Sequence, residues 1–118
     1  MSKQEIGTIT KLMYKQSLQR ALDAIKFRMT TPICHIKYTD FMADTTGTMK
    51  VMYQHCGLEF HKDLPQAIAD YLKENPQGKH GKHKYTMEEY GLFKDDIQQE
   101  FKFYLDFLKT IFPEESFV

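Results

Sequence analysis

The length of 118 residues, of which 42% are hydrophobic and 14% aromatic, predicts a single globular domain over residues 1–118 with one modest core. Sixteen basic and sixteen acidic side chains cancel, which excludes nucleic-acid or membrane binding driven by overall charge. Cys34 and Cys56 are too few for a disulfide framework, and no apolar run approaches the roughly 18 residues of a membrane span. We therefore expect a soluble, cytoplasmic protein.

The first predicted element is a long helix from Gln4 to Met29. Its apolar residues recur mostly at intervals of three and four, the spacing of one buried helical face. They are Ile6, Ile9, Leu12, Met13, Leu18, Ala21, Leu22, Ile25 and Met29. Lys11, Lys15 and Lys26 fall on the opposite face, which we expect to be solvated, and Pro32 prevents the helix from continuing beyond Thr31.

A short strand is predicted at Ile33–Tyr38, where β-branched and aromatic residues lie between turn-forming flanks. No other segment gives a comparable strand signal. A lone strand leaves its backbone N–H and C=O groups without ladder partners. Another strand of this chain, or one from a second chain, must therefore pair with it.

Two more helices are predicted before residue 75. The first follows the polar segment 39–48 and ends at Gly57, which suits a left-handed C-cap. Its apolar residues are Met49, Val51, Met52, Tyr53 and Cys56. The second begins after Asp63 and stops at Asn75-Pro76. Its buried stripe consists of Ala67, Ile68, Tyr71 and Leu72.

The loop from Asn75 to Tyr85 contains two glycines, three lysines and two histidines. Glycines let a backbone approach a ligand closely, and clustered cations favour a phosphate or sulfate group. The loop is therefore a candidate anion site. The alternative is a solvated connector whose lysines have no specific role.

A capping box, T-x-x-E, closes this loop at Thr86 to Glu89, with Tyr85 and Tyr90 in the positions of a hydrophobic staple. A last helix is predicted from about Lys94 to Phe112. Its apolar residues are Ile97, Phe101, Tyr104, Leu105, Leu108 and Ile111. Because they recur at helical spacing, we expect core or subunit contacts from the aromatic rings rather than base stacking.

Two further groups of reactive residues have simpler explanations. His80 and His83 form an H-x-x-H pair, but the neighbouring lysines would repel a cation, so no metal site is predicted. Asp40 and Asp44 flank the predicted strand-to-helix turn, where carboxylates more often cap backbone N–H groups than act as an acid–base pair. The catalytic residues remain unknown.

Several runs occur in a fixed order along the chain. They are Tyr38–Asp44, Gly47-Thr48, Tyr53, Gly57-Leu58 and Asn75–Tyr85, followed by Glu89-Tyr90-Gly91-Leu92. The most specific is N-P-x-G-K-H-G-x-H-x-Y with E-x-G-L after it. Together these runs resemble the C-terminal part of the bacterial-type sulfotransferase family, and the resemblance covers nearly the whole chain.

This resemblance implies a C-terminal fragment of a P-loop-like α/β fold, which here would be mainly α with one short strand and about four helices. Members of the family transfer the sulfuryl group of 3′-phosphoadenosine 5′-phosphosulfate to a hydroxyl or an amine. In related enzymes a basic G-x-x-G loop grips the 3′-phosphate of that cofactor. The resemblance therefore implies that the cofactor-binding residues are Gly78, Lys79, His80, Gly81, Lys82, His83 and Tyr85.

The resemblance is partial. Pro76 and Gln77 stand where the related enzymes carry an Arg-Lys pair, so the lysines and histidines of the loop would have to supply the charge. No counterpart of the family's phosphosulfate loop precedes Ile33, and the region that supplies a catalytic base is missing. Sulfuryl transfer needs both, so enzymatic activity of the chain alone is an open question.

Two functions follow from these observations. The chain is expected to be a sulfotransferase segment that retains part of a nucleotide 3′-phosphate site and works with a missing N-terminal half. Alternatively, it is a non-catalytic helical interaction or oligomerisation module, since surfaces that once covered a sheet would now be exposed. The expected partners are a nucleotide and either a second copy of the chain or the missing half.

Overall fold

The computed structural model of the protein describes residues 1–27 and 33–114. These residues are mainly helical, as the sequence predicts, and form six α-helices and one 3₁₀ turn. The helices are α1 (Lys3–Phe27), α2 (Tyr38–Ala43), α3 (Thr45–His55), α4 (Leu64–Glu74), α5 (Lys94–Glu100) and α6 (Lys102–Ile111), and the 3₁₀ turn is Glu88–Tyr90. None of these helices combines the length and the apolar character needed to cross a membrane.

The chain divides into two compact units. The first unit comprises Met1–Thr31 and Lys84–Val118, and the second unit comprises Pro32–His83. The first unit therefore contains α1, the 3₁₀ turn, α5 and α6. The second unit contains α2, α3, α4 and most of the loop from Asn75 to Tyr85, which we call the basic loop.

Helix α1 begins at a capping box. The backbone N–H of Ser2 donates to Glu5 Oε2 at 2.6 Å, and the N–H of Glu5 donates to Ser2 Oγ at 3.1 Å. Two N–H groups that have no partner within the helix are satisfied in this way. The end predicted at Met29 lies outside the described residues.

Helix α1 packs against the 3₁₀ turn at Gly7, the one fully buried residue of the described chain. A Cβ atom at Gly7 would overlap the carbonyl oxygen of Tyr90 and lie 2.9 Å from its carbonyl carbon. Lys3 adds a salt bridge to Glu89 at 3.0 Å beside this contact. The absence of a side chain at Gly7 thus allows the helix to reach the turn.

The predicted faces of α1 are partly reversed in its first half. Lys11 and Lys15, expected in solvent, are half-buried and lie 3.1 and 3.8 Å from the carboxylate of Glu100. Four residues expected in the core are exposed instead, with exposed fractions of 40% for Ile6, 44% for Ile9, 53% for Leu12 and 61% for Met13. The packed face of α1 is therefore the side that carries Gly7, Lys11 and Lys15, because these residues contact Tyr90 and Glu100.

The single helix predicted from Lys94 to Phe112 is divided at Phe101 into α5 and α6. Phe101 has φ −101° and ψ 15°, outside the helical range. Its carbonyl oxygen accepts from the N–H groups of both Tyr104 and Leu105 at 3.0 Å, so hydrogen bonding continues across the break. The rings of Phe101 and Phe103 stack with centroids 6.3 Å apart.

The strand predicted at Ile33–Tyr38 is not seen. Residues 33–37 have no regular secondary structure, and Tyr38 is the first residue of α2. The N–H of Phe41 donates to the carbonyl of Lys37 at 3.1 Å, so a helix satisfies this part of the backbone. Because the described residues contain no strand, none is present to form a ladder with this segment. The extra helix α2 and the break at Phe101 raise the helix count above the predicted four or so.

The boundaries of α3 and α4 follow the predicted local signals. Asp44 caps α3, since its side chain accepts from the N–H of Gly47 at 3.0 Å. Gly57, with φ 69°, ends that helix in a Schellman motif, in which the N–H of Leu58 donates to the carbonyl of Tyr53 at 2.9 Å. Helix α4 ends at Asn75, next to Pro76, as predicted.

Candidate functional site

The basic loop starts at a fixed point, because Asn75 closes α4. Its side-chain N–H donates to the carbonyl of Tyr71 at 3.0 Å, and its backbone N–H donates to the same oxygen at 2.9 Å. The side-chain oxygen of Asn75 also accepts from Lys79 Nζ at 3.3 Å. Asn75 therefore connects the last turn of the helix to the first lysine of the loop.

Two consecutive turns shape the loop. The N–H of Lys79 donates to the carbonyl of Pro76 at 3.1 Å, and the N–H of Gly81 donates to the carbonyl of Gly78 at 2.9 Å. Gly78 and Gly81 have φ values of 82° and 97°, a region that other L residues rarely adopt. The backbone conformation thus favours glycine at both positions, which explains the glycine spacing used to predict the anion site.

An open surface cavity of about 460 Å³ lies along these turns. It is lined by Gln77, Gly78, Gly81, Lys82 and His83. The residues from 76 to 85 are exposed. Within the described part of the chain, the N–H groups of Gly78, His80 and Lys82 make no hydrogen bond. Backbone donors and ammonium groups on one short loop are the groups that bind an anion.

The predicted cofactor-binding residues are divided between the two units. Gly78, Lys79, His80, Gly81, Lys82 and His83 all lie on the loop of the second unit. Tyr85 lies in the first unit, where its ring packs edge-on against Tyr90 with centroids 6.4 Å apart. Tyr85 therefore fulfils the predicted role in the hydrophobic staple.

The predicted capping box after the loop is confirmed. The N–H of Thr86 donates to Glu89 Oε2 at 2.7 Å, and the N–H of Glu89 donates to Thr86 Oγ1 at 3.3 Å. The hydrogen bond from Thr86, and then Lys3, hold the pKa of Glu89 below its ordinary value. Glu89 in turn raises the pKa of Lys3. Gly91, with φ 69°, ends the short turn.

Three acidic and histidine side chains of the second unit have local structural contacts. Asp40 lies 3.5 Å from the ammonium group of Lys37, and Asp44 caps α3 as predicted. His61 Nδ1 accepts from the N–H of Asp63 at 3.2 Å, at the start of α4. Among residues 1–27 and 33–114, no three His, Cys, Asp or Glu side chains come together in a cluster.

The sequence reasoning missed three structural residues of the first unit. Ser2 and Glu5 form a second S-x-x-E capping box, a pattern that the sequence alone could have revealed. Gly7 is the contact point of α1 with Tyr90, a role for which the sequence carries no local signal. Only the packed structure shows that role.

Comparison of the chain with models of protein families, with curated proteins and with solved structures finds no match. The function is therefore inferred from the geometry of the loop and the chemistry of its residues.

Proposed function

We propose that this chain is a segment of the sulfotransferase family that binds the 3′-phosphate of an adenosine nucleotide at residues 78–83. The cofactor of that family is 3′-phosphoadenosine 5′-phosphosulfate. The observation that carries the proposal is the pair of turns at Gly78 and Gly81, where backbone N–H groups beside exposed lysines have no hydrogen-bond partner among the described residues. The motif N-P-x-G-K-H-G-x-H-x-Y adds support, because it resembles the family's late basic loop.

Each group of the loop has a distinct part in this proposal. Lys79 and Lys82 neutralise the phosphate, and the N–H groups of the two turns donate to its oxygens. His80 and His83 add positive charge only when they are protonated. When bound, the cofactor supplies the sulfuryl group. The donors around its bridging oxygen and the base for the acceptor would come from outside this loop.

Calorimetry with adenosine 3′,5′-bisphosphate tests the proposal. We expect the Lys79→Ala/Lys82→Ala variant to bind about tenfold more weakly, because two charge-assisted contacts are lost. Lys50→Ala, which removes an exposed lysine of α3, is the matched control and should bind like the wild type. Absence of heat at millimolar nucleotide would exclude the site, and so would equal affinity for adenosine 5′-monophosphate, which lacks the 3′-phosphate.

The second candidate function is a helical module that associates with another copy of the chain. One observation favours it: no hydrophobic side chain of the described residues is fully buried. Large apolar side chains are widely exposed, including Phe27 at 71%, Tyr38 at 68% and Leu58 at 60%. Such surfaces mark interaction sites, and covering them stabilises the folded chain by mass action.

Sedimentation velocity over a range of concentrations tests this second function. We expect the weight-average mass of the chain to exceed 14.0 kDa and to increase with concentration. A chain that stays monomeric and unfolds cooperatively would contradict self-association.

A further inference from the structure

The first half of α1 presents an unusual outward face. Ile6, Ile9, Leu12 and Met13 follow helical spacing and are each at least 40% exposed. We refer to these four side chains as the α1 stripe. At 3.6 residues per turn, Ile9, Leu12 and Met13 lie on the side of the helix opposite Gly7 and Lys11, which make the contacts within the first unit.

Cations are held away from the α1 stripe. Lys11 and Lys15 are the two lysines in the middle of the helix, and Glu100 draws both towards the packed face. The outward face is therefore apolar at its centre. Its charged residues lie towards the ends, with Glu5 one turn before Ile9 and Arg20 two turns after Met13.

We propose that the α1 stripe is the contact surface of a homodimer in which α1 packs antiparallel against α1 of a second copy. This inference rests on the proposed self-association and assigns it a surface. A two-fold axis between Leu12 and Met13 places Leu12 of each copy opposite Met13 of the other copy. The same axis places Glu5 of each copy opposite Arg20 of the other, which gives two ion pairs at the rim.

Charge disfavours the parallel arrangement. Parallel helices in register would place Glu5 beside Glu5 and Arg20 beside Arg20 of the second copy, and like charges in contact are destabilising. In the antiparallel arrangement two Glu5–Arg20 pairs replace these like-charge pairs, and Leu12 and Met13 remain at the centre of the interface. The charges of the outward face, Glu5 and Arg20, are thus complementary in the antiparallel orientation.

The area of the stripe determines the strength of the dimer. Four partly exposed apolar side chains provide on the order of a few hundred Å² per copy, against the roughly 800 Å² per partner of a standard stable interface. We therefore expect a reversible dimer with a dissociation constant on the order of 10 µM.

A charge at the centre of the stripe should abolish the dimer. In Met13→Glu each introduced carboxylate would lie against Leu12 of the other copy, beside the two-fold axis and close to the second carboxylate, so we expect a monomer at about 100 µM, a concentration at which the wild type is largely dimeric. Met52→Glu makes the same change at an exposed position of α3 and should leave the dimer intact. Circular dichroism verifies that both variants retain their helices.

Disulfide trapping tests the orientation. In a Cys34→Ser/Cys56→Ser background, Met13→Cys lies beside the two-fold axis and should form a covalent dimer on mild oxidation. Arg20→Cys should not, because each copy of residue 20 faces Glu5. Rapid crosslinking at residue 20 would show a parallel pair and overturn the proposal.

Two further outcomes distinguish the α1 interface from self-association in general. A dimer that persists in Met13→Glu and does not crosslink at residue 13 would remove the α1 interface but keep self-association. A wild-type chain that is monomeric at about 100 µM would remove both.

Discussion

A single glycine determines how α1 is attached to the rest of the first unit. Glycine in a helix interior usually costs about 1 kcal/mol relative to alanine, because it loses more backbone entropy on folding. At Gly7 this cost is offset by contact, since the helix backbone reaches the carbonyl group of Tyr90 with no side chain between them. The ordinary ranking of helix propensities should therefore be reversed at this position.

Replacing Gly7 with alanine should destabilise the chain by about 1–3 kcal/mol, because the added methyl group overlaps the backbone of Tyr90. Urea unfolding followed by circular dichroism measures this change. Ser17→Ala is the matched control on an exposed position of α1 and should alter stability by no more than about 0.5 kcal/mol. A Gly7→Ala variant as stable as the wild type would show that the contact with Tyr90 does not contribute.

At the scale of elements, two capping boxes begin the two segments that meet at Gly7. Ser2 and Glu5 start α1, and Thr86 and Glu89 start the 3₁₀ turn. Lys3 connects them, since its ammonium group lies 3.0 Å from Glu89 and 5.7 Å from the centre of the Tyr90 ring. Local sequence signals thus position both ends of this contact.

The contact should weaken in acid. The pKa of Glu89 is lowered in the folded chain, so Glu89 contributes stability above its unfolded value of 4.5, and this contribution is lost as the pH falls through the folded pKa. Glu5, whose pKa Ser2 lowers, acts in the same direction. The chemical shift of the Thr86 amide, followed by NMR between about pH 2 and about pH 7, should titrate with a midpoint below 4.5.

Lys3→Ala should raise that midpoint towards 4.5 without reaching it, because the hydrogen bond from Thr86 is the larger cause of the shift. Lys102→Ala removes a lysine that pairs with Asp106 on α6 and should leave the Thr86 titration unchanged. A midpoint at or above 4.5 in the wild type would contradict the role given to Glu89.

Elements with local signals could be predicted from the sequence. The ends of α3 and α4 follow from Gly57 and Asn75-Pro76, and the positive φ values of Gly78 and Gly81 agree with the glycine spacing of the predicted site. Each signal depends on the conformational limits of one or two residues.

The remaining features depend on contacts that lie far apart in the sequence. The reversed face of α1 depends on Glu100, 89 residues from Lys11. The apolar run at Ile33–Tyr38 has strand propensity, but propensity cannot provide a partner for a ladder. The helical spacing of the apolar residues continues through Phe101, although the backbone leaves the helical conformation at that residue. Hydrophobic spacing could not reveal any of these outcomes.

At the scale of the whole molecule, the chain exposes apolar surface that a folded monomer usually buries. No hydrophobic side chain is fully buried in the described residues, and α2, α3 and α4 surround an open apolar cavity of about 400 Å³. The first unit holds another, of about 290 Å³, beside Gly7. Folding and association should therefore be coupled in this protein.

The thermal midpoint should rise with protein concentration if association stabilises the fold. Between about 2 µM and about 200 µM we expect an increase of roughly 5 °C, since a hundredfold rise in concentration favours the associated state by mass action. Circular dichroism at 222 nm, with path lengths adjusted to equal absorbance, measures the midpoint. A constant midpoint over this range would contradict coupled folding and association.

The positions of Gly7 and Lys11 on α1 also limit how the gene can vary in length. These residues are four apart and fix the helix at two points, the 3₁₀ turn and the end of α5. Inserting one residue between them would rotate the two contacts by about 100° relative to each other, so only one could form. Insertions in this segment should be selected against, whereas substitutions on its outward face leave both contacts in place.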